Sequence, residues 1–99
     1  MTSDKIRVVA RLKARPDQVD ALHAVLFGLL APTRAEPGCI RYEMLQNLED
    51  PTDFTFTEEW TGKPALDAHF ETEHIRNALA RFPELLADEL DVRRYSVVG

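Results

Sequence analysis

The chain has 99 residues, 12 basic and 17 acidic, for a net charge of −5; apolar residues make up 44% and charged residues 29%. These proportions describe one small globular domain, residues 1–99, and exclude a disordered, fibrous or two-domain chain. Residues 51–99 carry five basic and ten acidic groups, a balance that argues against a nucleic-acid partner.

Residues 1–5 read as a flexible N-terminus. Ile6, Val8, Ala10 and Leu12 then alternate with Arg7, Val9, Arg11 and Lys13, the period of two that marks a strand with one apolar face. Pro16 and Asp17 open a helix in which Val19, Leu22, Leu26, Leu29 and Thr33 recur at spacings of three and four. It is expected to run to about Glu36, with a local kink where Pro32 meets Gly28. Pro37-Gly38 stops it, and a second strand runs from Cys39 to Leu48, with Ile40, Tyr42 and Met44 on one face and Cys39, Arg41 and Glu43 on the other.

Asn47 to Asp53 reads as a turn-rich connector to a third strand, antiparallel to the second, whose Phe54, Phe56, Glu58 and Trp60 share a face. Gly62 caps a short helix with Leu66, His69 and Phe70 on one side, and Thr72 caps another with Ile75, Leu79, Phe82 and Leu86, which Pro83 bends or ends. Val92 to Val98 supplies a final strand. The order β-α-β-β-α(α)-β predicts a ferredoxin-like α+β fold with a four-stranded antiparallel sheet. Arg7, Arg11, Arg41, Glu43, Thr55, Thr57 and Glu59 fall on the sheet face away from the helices, as a solvated surface or a polar dimer contact.

No stretch reaches the roughly 18 apolar residues of a membrane span, the N-terminus lacks a secretory pattern, and the single Cys39 cannot form an internal disulfide. A cytoplasmic protein without a membrane partner is expected. The small core makes a homodimer the natural way to bury more surface.

Three segments carry a resemblance: Ala31-Pro32-Thr33-Arg34-Ala35-Glu36-Pro37-Gly38-Cys39-Ile40-Arg41-Tyr42-Glu43, Glu58-Glu59-Trp60, and Ala68-His69-Phe70-x-x-x-His74. At this spacing the chain resembles the antibiotic biosynthesis monooxygenase, or quinol monooxygenase-like, family over about residues 6–98. The resemblance implies a dimeric α+β barrel, with two sheets packed face to face and a cavity in each subunit between sheet and helices. Some members oxidise quinols or polycyclic phenols with molecular oxygen and no cofactor, others degrade haem, and others isomerise small signalling sugars. At the positions matching the Asn, Trp and His of the haem-degrading members, this chain has Ala10, His69 and Leu79, which disfavours haem breakdown.

His69, on an inward helix face, titrates near neutrality and suits proton abstraction from a phenol or enediol, or else satisfies a buried carbonyl or carboxylate. His74 either shares that space or is an exposed first-turn residue. Glu58 interrupts an apolar face, so it must be paired, hydrogen-bonded or functional, by orienting His69 or by pairing with an arginine such as Arg94. Tyr42, Trp60 and Phe70 are candidates to contact a planar substrate, with plain core packing as the alternative for Tyr42 and Trp60. Cys39 has no evident base and reads as an inert thiol.

The two histidines lack the i, i+4 spacing of ligands on one helix face, and Glu58 and Glu71 are the only evident third ligands, so no metal is expected. No glycine-rich phosphate loop or Cys-x-x-Cys occurs, and no cofactor is expected. The resulting expectation is a cofactor-independent monooxygenase with a quinol or polycyclic phenol and molecular oxygen as substrates. The alternatives are an isomerase of a small carbonyl or sugar phosphate and a non-catalytic ligand-binding dimer.

Overall fold

A computed structural model describes residues 4–99. The expected flexible N-terminus falls, for residues 1–3, outside the described residues. The elements in chain order are β1 (Ile6–Lys13), α1 (Val19–Phe27), α2 (Leu30–Arg34), β2 (Cys39–Asn47), β3 (Asp50–Trp60), α3 (Lys63–Phe70), α4 (Glu73–Leu85) and β4 (Asp91–Tyr95). The strands form one antiparallel sheet in the order β2-β3-β1-β4, the ferredoxin-like arrangement expected. Among the described residues, no helix is long and apolar enough to cross a membrane.

The central pair β1 and β3 sets the register. Val8 lies opposite Glu58, Ala10 opposite Phe56 and Leu12 opposite Phe54, and all six side chains are buried beneath the helices. Their core joins Leu22 and Leu26 of α1 with Ala78, Phe82 and Leu85 of α4, while Val8, Trp60 and Leu66 form a smaller cluster toward α3. Thr72 caps α4 by accepting from the Ile75 amide.

Five expectations are corrected. The first helix is not one kinked rod: it ends at Gly28, and α2 begins afresh at Leu30. Pro32 therefore occupies the first turn of α2, where its missing N–H costs nothing. The turn-rich connector shrinks to Leu48-Glu49, since β3 already begins at Asp50. Helix α4 runs past Pro83 to Leu85, and Arg15 donates to the Pro83 and Leu86 carbonyls at its end. The last strand is Asp91–Tyr95 rather than reaching Val98.

The fifth correction bears on the site. The β2–β3 register shifts between Cys39 and Arg41, so Ile40 is an extra residue in a β-bulge. Ile40 is turned out to solvent, whereas Cys39 and Tyr42 pack toward the core. The bulge follows Gly38, whose φ of 88° lies in the left-handed region. Its carbonyl accepts from the Thr61 amide at 2.9 Å, drawing the end of the Glu36-Pro37-Gly38 turn against the start of α3.

On the other sheet face, Arg7 pairs with Glu59 at 2.7 Å and Arg11 with Asp53 at 3.4 Å. Exposed Leu45 and Tyr95 flank these pairs.

A Cβ on Gly38 would lie 2.5 Å from the Ala65 Cβ and 2.7 Å from the Thr61 Oγ1. Gly38→Ala thus adds steric overlap to left-handed strain, and a loss of roughly 2 kcal/mol or more in urea unfolding is expected. An unchanged midpoint would show that the turn tolerates another conformation.

Candidate active site

Between the sheet and α1, α3 and α4 lies a cavity of about 40 Å³, room for a few waters. Its walls are apolar except for three side chains, Tyr42 of β2, Glu58 of β3 and His69 of α3. Ala10, His69 and Leu79, at the positions matched to the haem-degrading site, all line this one space. Leu79, Phe82 and Leu90 line both the cavity and an open groove on the outer surface. They form the wall that the two spaces share.

Helix α3 buries Leu66 and His69 one turn apart. The imidazole is boxed by aromatic rings, with centroids of Trp60 at 4.6 Å, Phe70 at 5.3 Å and Tyr42 at 5.9 Å. Its Nδ1 lies 2.7 Å from Glu36 Oε2. A carboxylate only accepts, so the shared proton sits on Nδ1, and Nε2 is left as a lone-pair acceptor. Burial lowers the His69 pKa, and the Glu36 hydrogen bond and charge pull the other way.

Glu36 itself follows α2 and precedes Pro37. The same oxygen, Oε2, lies 2.8 Å from Nε2 of His74, in the first turn of α4. Side-chain exposure rises outward along this row, from 3% for His69 through 10% for Glu36 to 23% for His74. His74 does not line the cavity; the two histidines meet through the carboxylate rather than in a common pocket. The third group is therefore Glu36, and neither Glu58 nor Glu71 joins them. The three donor atoms lie within 4.8 Å of one another, a set that a divalent cation can use. In this arrangement each is already engaged, since one carboxylate oxygen receives both imidazole N–H groups.

Glu58 Oε1 accepts from the Trp60 indole at 2.9 Å. Burial pushes its carboxyl up to about 7, against the Trp60 hydrogen bond and with the Glu36 charge adding to the rise. It neither touches His69 through a hydrogen bond nor pairs with Arg94, which faces Asp67 at 3.7 Å. Trp60 is fully buried behind the cavity wall and holds Glu58, whereas Tyr42 and Phe70 reach the cavity. Burial, and then the Glu58 charge, raise the Tyr42 phenol. The Cys39 thiol is likewise raised, first by burial and then by Glu36 and Glu58, leaving it an unreactive thiol.

Glu36 is the candidate site residue that inspection of the sequence passes over. Its signal was an acid immediately before the Pro-Gly turn, inside the longest of the three matching segments.

The antibiotic biosynthesis monooxygenase family model matches residues 5–81, a span holding every residue of the triad as well as Tyr42 and Glu58. "Putative monooxygenase Rv0793" of Mycobacterium tuberculosis is 38% identical over 86 residues, covering 87% of this chain and 83% of that protein. Its solved structure superposes with a TM-score of 0.91 over 96% of both chains, at 32% identity. The structure of PA3566 from Pseudomonas aeruginosa superposes with a TM-score of 0.90 at 31% identity, over 100% of this chain and 99% of that one. "Uncharacterized protein sll1783" of Synechocystis is 32% identical over 94 residues, 95% of this chain, and the alignment spans only 64% of that protein's length. Sequence, fold and the placement of the matched segments around one cavity agree: the chain belongs to the antibiotic biosynthesis monooxygenase family.

Proposed function

We propose that the protein is a cofactor-independent monooxygenase acting on a quinol or polycyclic phenol, with His69 as the base. The observation that carries this reading is the committed Nδ1 of His69. With that nitrogen donating to Glu36, the remaining nitrogen is an acceptor on a ring that lines an apolar cavity. The monooxygenase name of the Mycobacterium tuberculosis relative supports it.

In the proposed reaction, His69 Nε2 takes a proton from the substrate, and the resulting anion supplies electrons to molecular oxygen. A carbon–oxygen bond forms, and a proton reaches the distal peroxide oxygen. The O–O bond then breaks with loss of a second substrate hydrogen, leaving a new carbonyl and one water. The substrate supplies all four electrons. Glu58, raised to about 7 and so partly protonated near neutral pH, can donate a proton inside the cavity, and Tyr42 and Phe70 can flank a planar ring. His74 acts from outside the cavity, through Glu36.

The cavity is too small for a fused-ring substrate as it stands, so entry moves Leu79, Phe82 and Leu90 aside. We also propose a homodimer formed through the outer sheet face, supported by its self-compensated ion pairs and by exposed Leu45 and Tyr95. Light scattering at micromolar concentration should give twice the 11.3 kDa chain mass; a single-chain mass defeats the dimer.

An oxygen electrode with 1,4-naphthohydroquinone and anthrone tests the chemistry. Oxygen uptake above the uncatalysed rate is expected, and His69→Ala, which also takes one donor from buried Glu36 and so lowers the melting temperature, should reduce it by ~10²–10⁴-fold in protein still folded at the assay temperature. Full activity in that variant removes His69 from the mechanism. Conversion of a small carbonyl substrate without oxygen uptake would favour an isomerase instead.

Glu58 gives a second, activity-independent check. Its folded-state pKa is raised, so its stabilising contribution is complete below the ordinary carboxyl value of 4.5 and is lost as pH rises through about 7. Glu58→Gln keeps an oxygen for Trp60 and cannot ionise. Relative to wild type it should gain on the order of 3 kcal/mol between pH 4 and pH 8 in urea unfolding. A difference that stays constant with pH would mean that Glu58 ionises as an ordinary carboxylate.

A further inference from the structure

We propose that His74 is a positioning residue working through Glu36: the shared Oε2 atom makes the two imidazoles compete for one proton, and His74 takes it, so that His69 stays neutral. Both rings bond the same oxygen, at 2.7 and 2.8 Å. One carboxylate compensates one imidazolium. A second would sit with its ring centroid 6.2 Å from the first, close enough for the two charges to oppose each other and titrate as a coupled pair.

Burial decides which ring is charged. His74 is 23% exposed and His69 3%, and an ion costs less where water reaches it. Thr72 reinforces this order. Its hydroxyl donates to the His69 carbonyl at 2.7 Å, so its oxygen is an acceptor for His74 Nε2 at 3.3 Å. The His74 Nε2 proton is thus held between Thr72 and Glu36, and Nδ1 is the position that gains a proton from solvent.

The neighbouring charges do not reverse the order. Tyr42 and Cys39, raised by burial, stay neutral through the working range, and Arg34 is engaged by the Tyr42 carbonyl. On α3, Lys63 and Asp67 pair with each other at 2.6 Å, and Glu71 and Glu73 are exposed. Glu58 is the remaining cavity group that changes charge in the same range. When ionised it favours a cation on His69, so it is removed in a control.

The catalytic consequence, a base that remains available at mildly acidic pH, rests on His69 having the role proposed above; the proton sharing does not. The test accordingly reads no turnover. Imidazole ¹⁵N NMR titrations are recorded on the purified protein, on His74→Gln, and on both in a Glu58→Gln background. His74 should protonate first and His69 at lower pH. In His74→Gln, where the amide can still donate to Glu36, the His69 midpoint should rise by roughly one pH unit or more. A merely structural His74 would leave that midpoint in place. His69 protonating first in the otherwise unaltered protein, or an unmoved His69 midpoint in the folded variant, overturns the proposal. So does a stoichiometric metal ion that keeps both rings from titrating.

Discussion

A carboxylate held between two imidazoles is the interaction around which this site is organised. An ionised carboxyl that is nine-tenths buried is tolerated only with strong donors, and Glu36 has two, supplied by different helices. The requirement constrains three parts of the chain at once. Helix α2 must end where Glu36 can turn inward, α3 must present His69 at its last turn, and α4 must begin with His74 facing back. Gly38 makes the first condition possible. Its left-handed backbone and absent side chain allow the turn to close against Ala65 and Thr61.

The sheet supplies the other half. In the β1–β3 register, Ala10 faces Phe56 and Val8 faces Glu58, so a small residue lies beside the cavity where a larger one would fill it. Tyr42 lies opposite Glu58 on the neighbouring strand. Tyr42 reaches that place because the bulge at Ile40 restores inward facing after Cys39. Without the extra residue, Cys39 and Tyr42, three apart, would project to opposite faces.

Strand periodicity was plain in the sequence because one face of β1 and β3 is buried and the other carries charge. For the same reason Glu58 stood out as a polar interruption. The bulge was hidden, since Cys39 to Met44 still alternates when read straight through, and only docking against α3 selects Cys39 for the interior. The helix break was hidden for a different reason. Pro32 can be accommodated by bending a helix or by beginning a new one two residues earlier, and the local residues permit both. Glu36 was the largest omission, because its meaning lies in partners 33 and 38 residues away. A lone acid ahead of Pro-Gly is ordinary turn chemistry until the fold brings two imidazoles to it.

The apolar cavity acts on its acid and its base in opposite senses. Burial raises Glu58 and lowers His69, so each is shifted toward its neutral form and the space between them carries less charge than the same groups would in water. That is a suitable environment for an apolar phenol and for molecular oxygen. Under the proposed chemistry the balance changes when the proton moves. His69 becomes a cation held against Glu36, and the substrate anion is left facing it among otherwise apolar side chains. An anion poorly solvated by its surroundings is a better electron donor to oxygen than the same anion in water. The carboxylate thus serves the reaction by holding the proton on His69 Nδ1, which leaves Nε2 to accept from the substrate. It lies behind His69 rather than on the cavity wall, so it orients the base without placing a second negative charge beside the substrate anion.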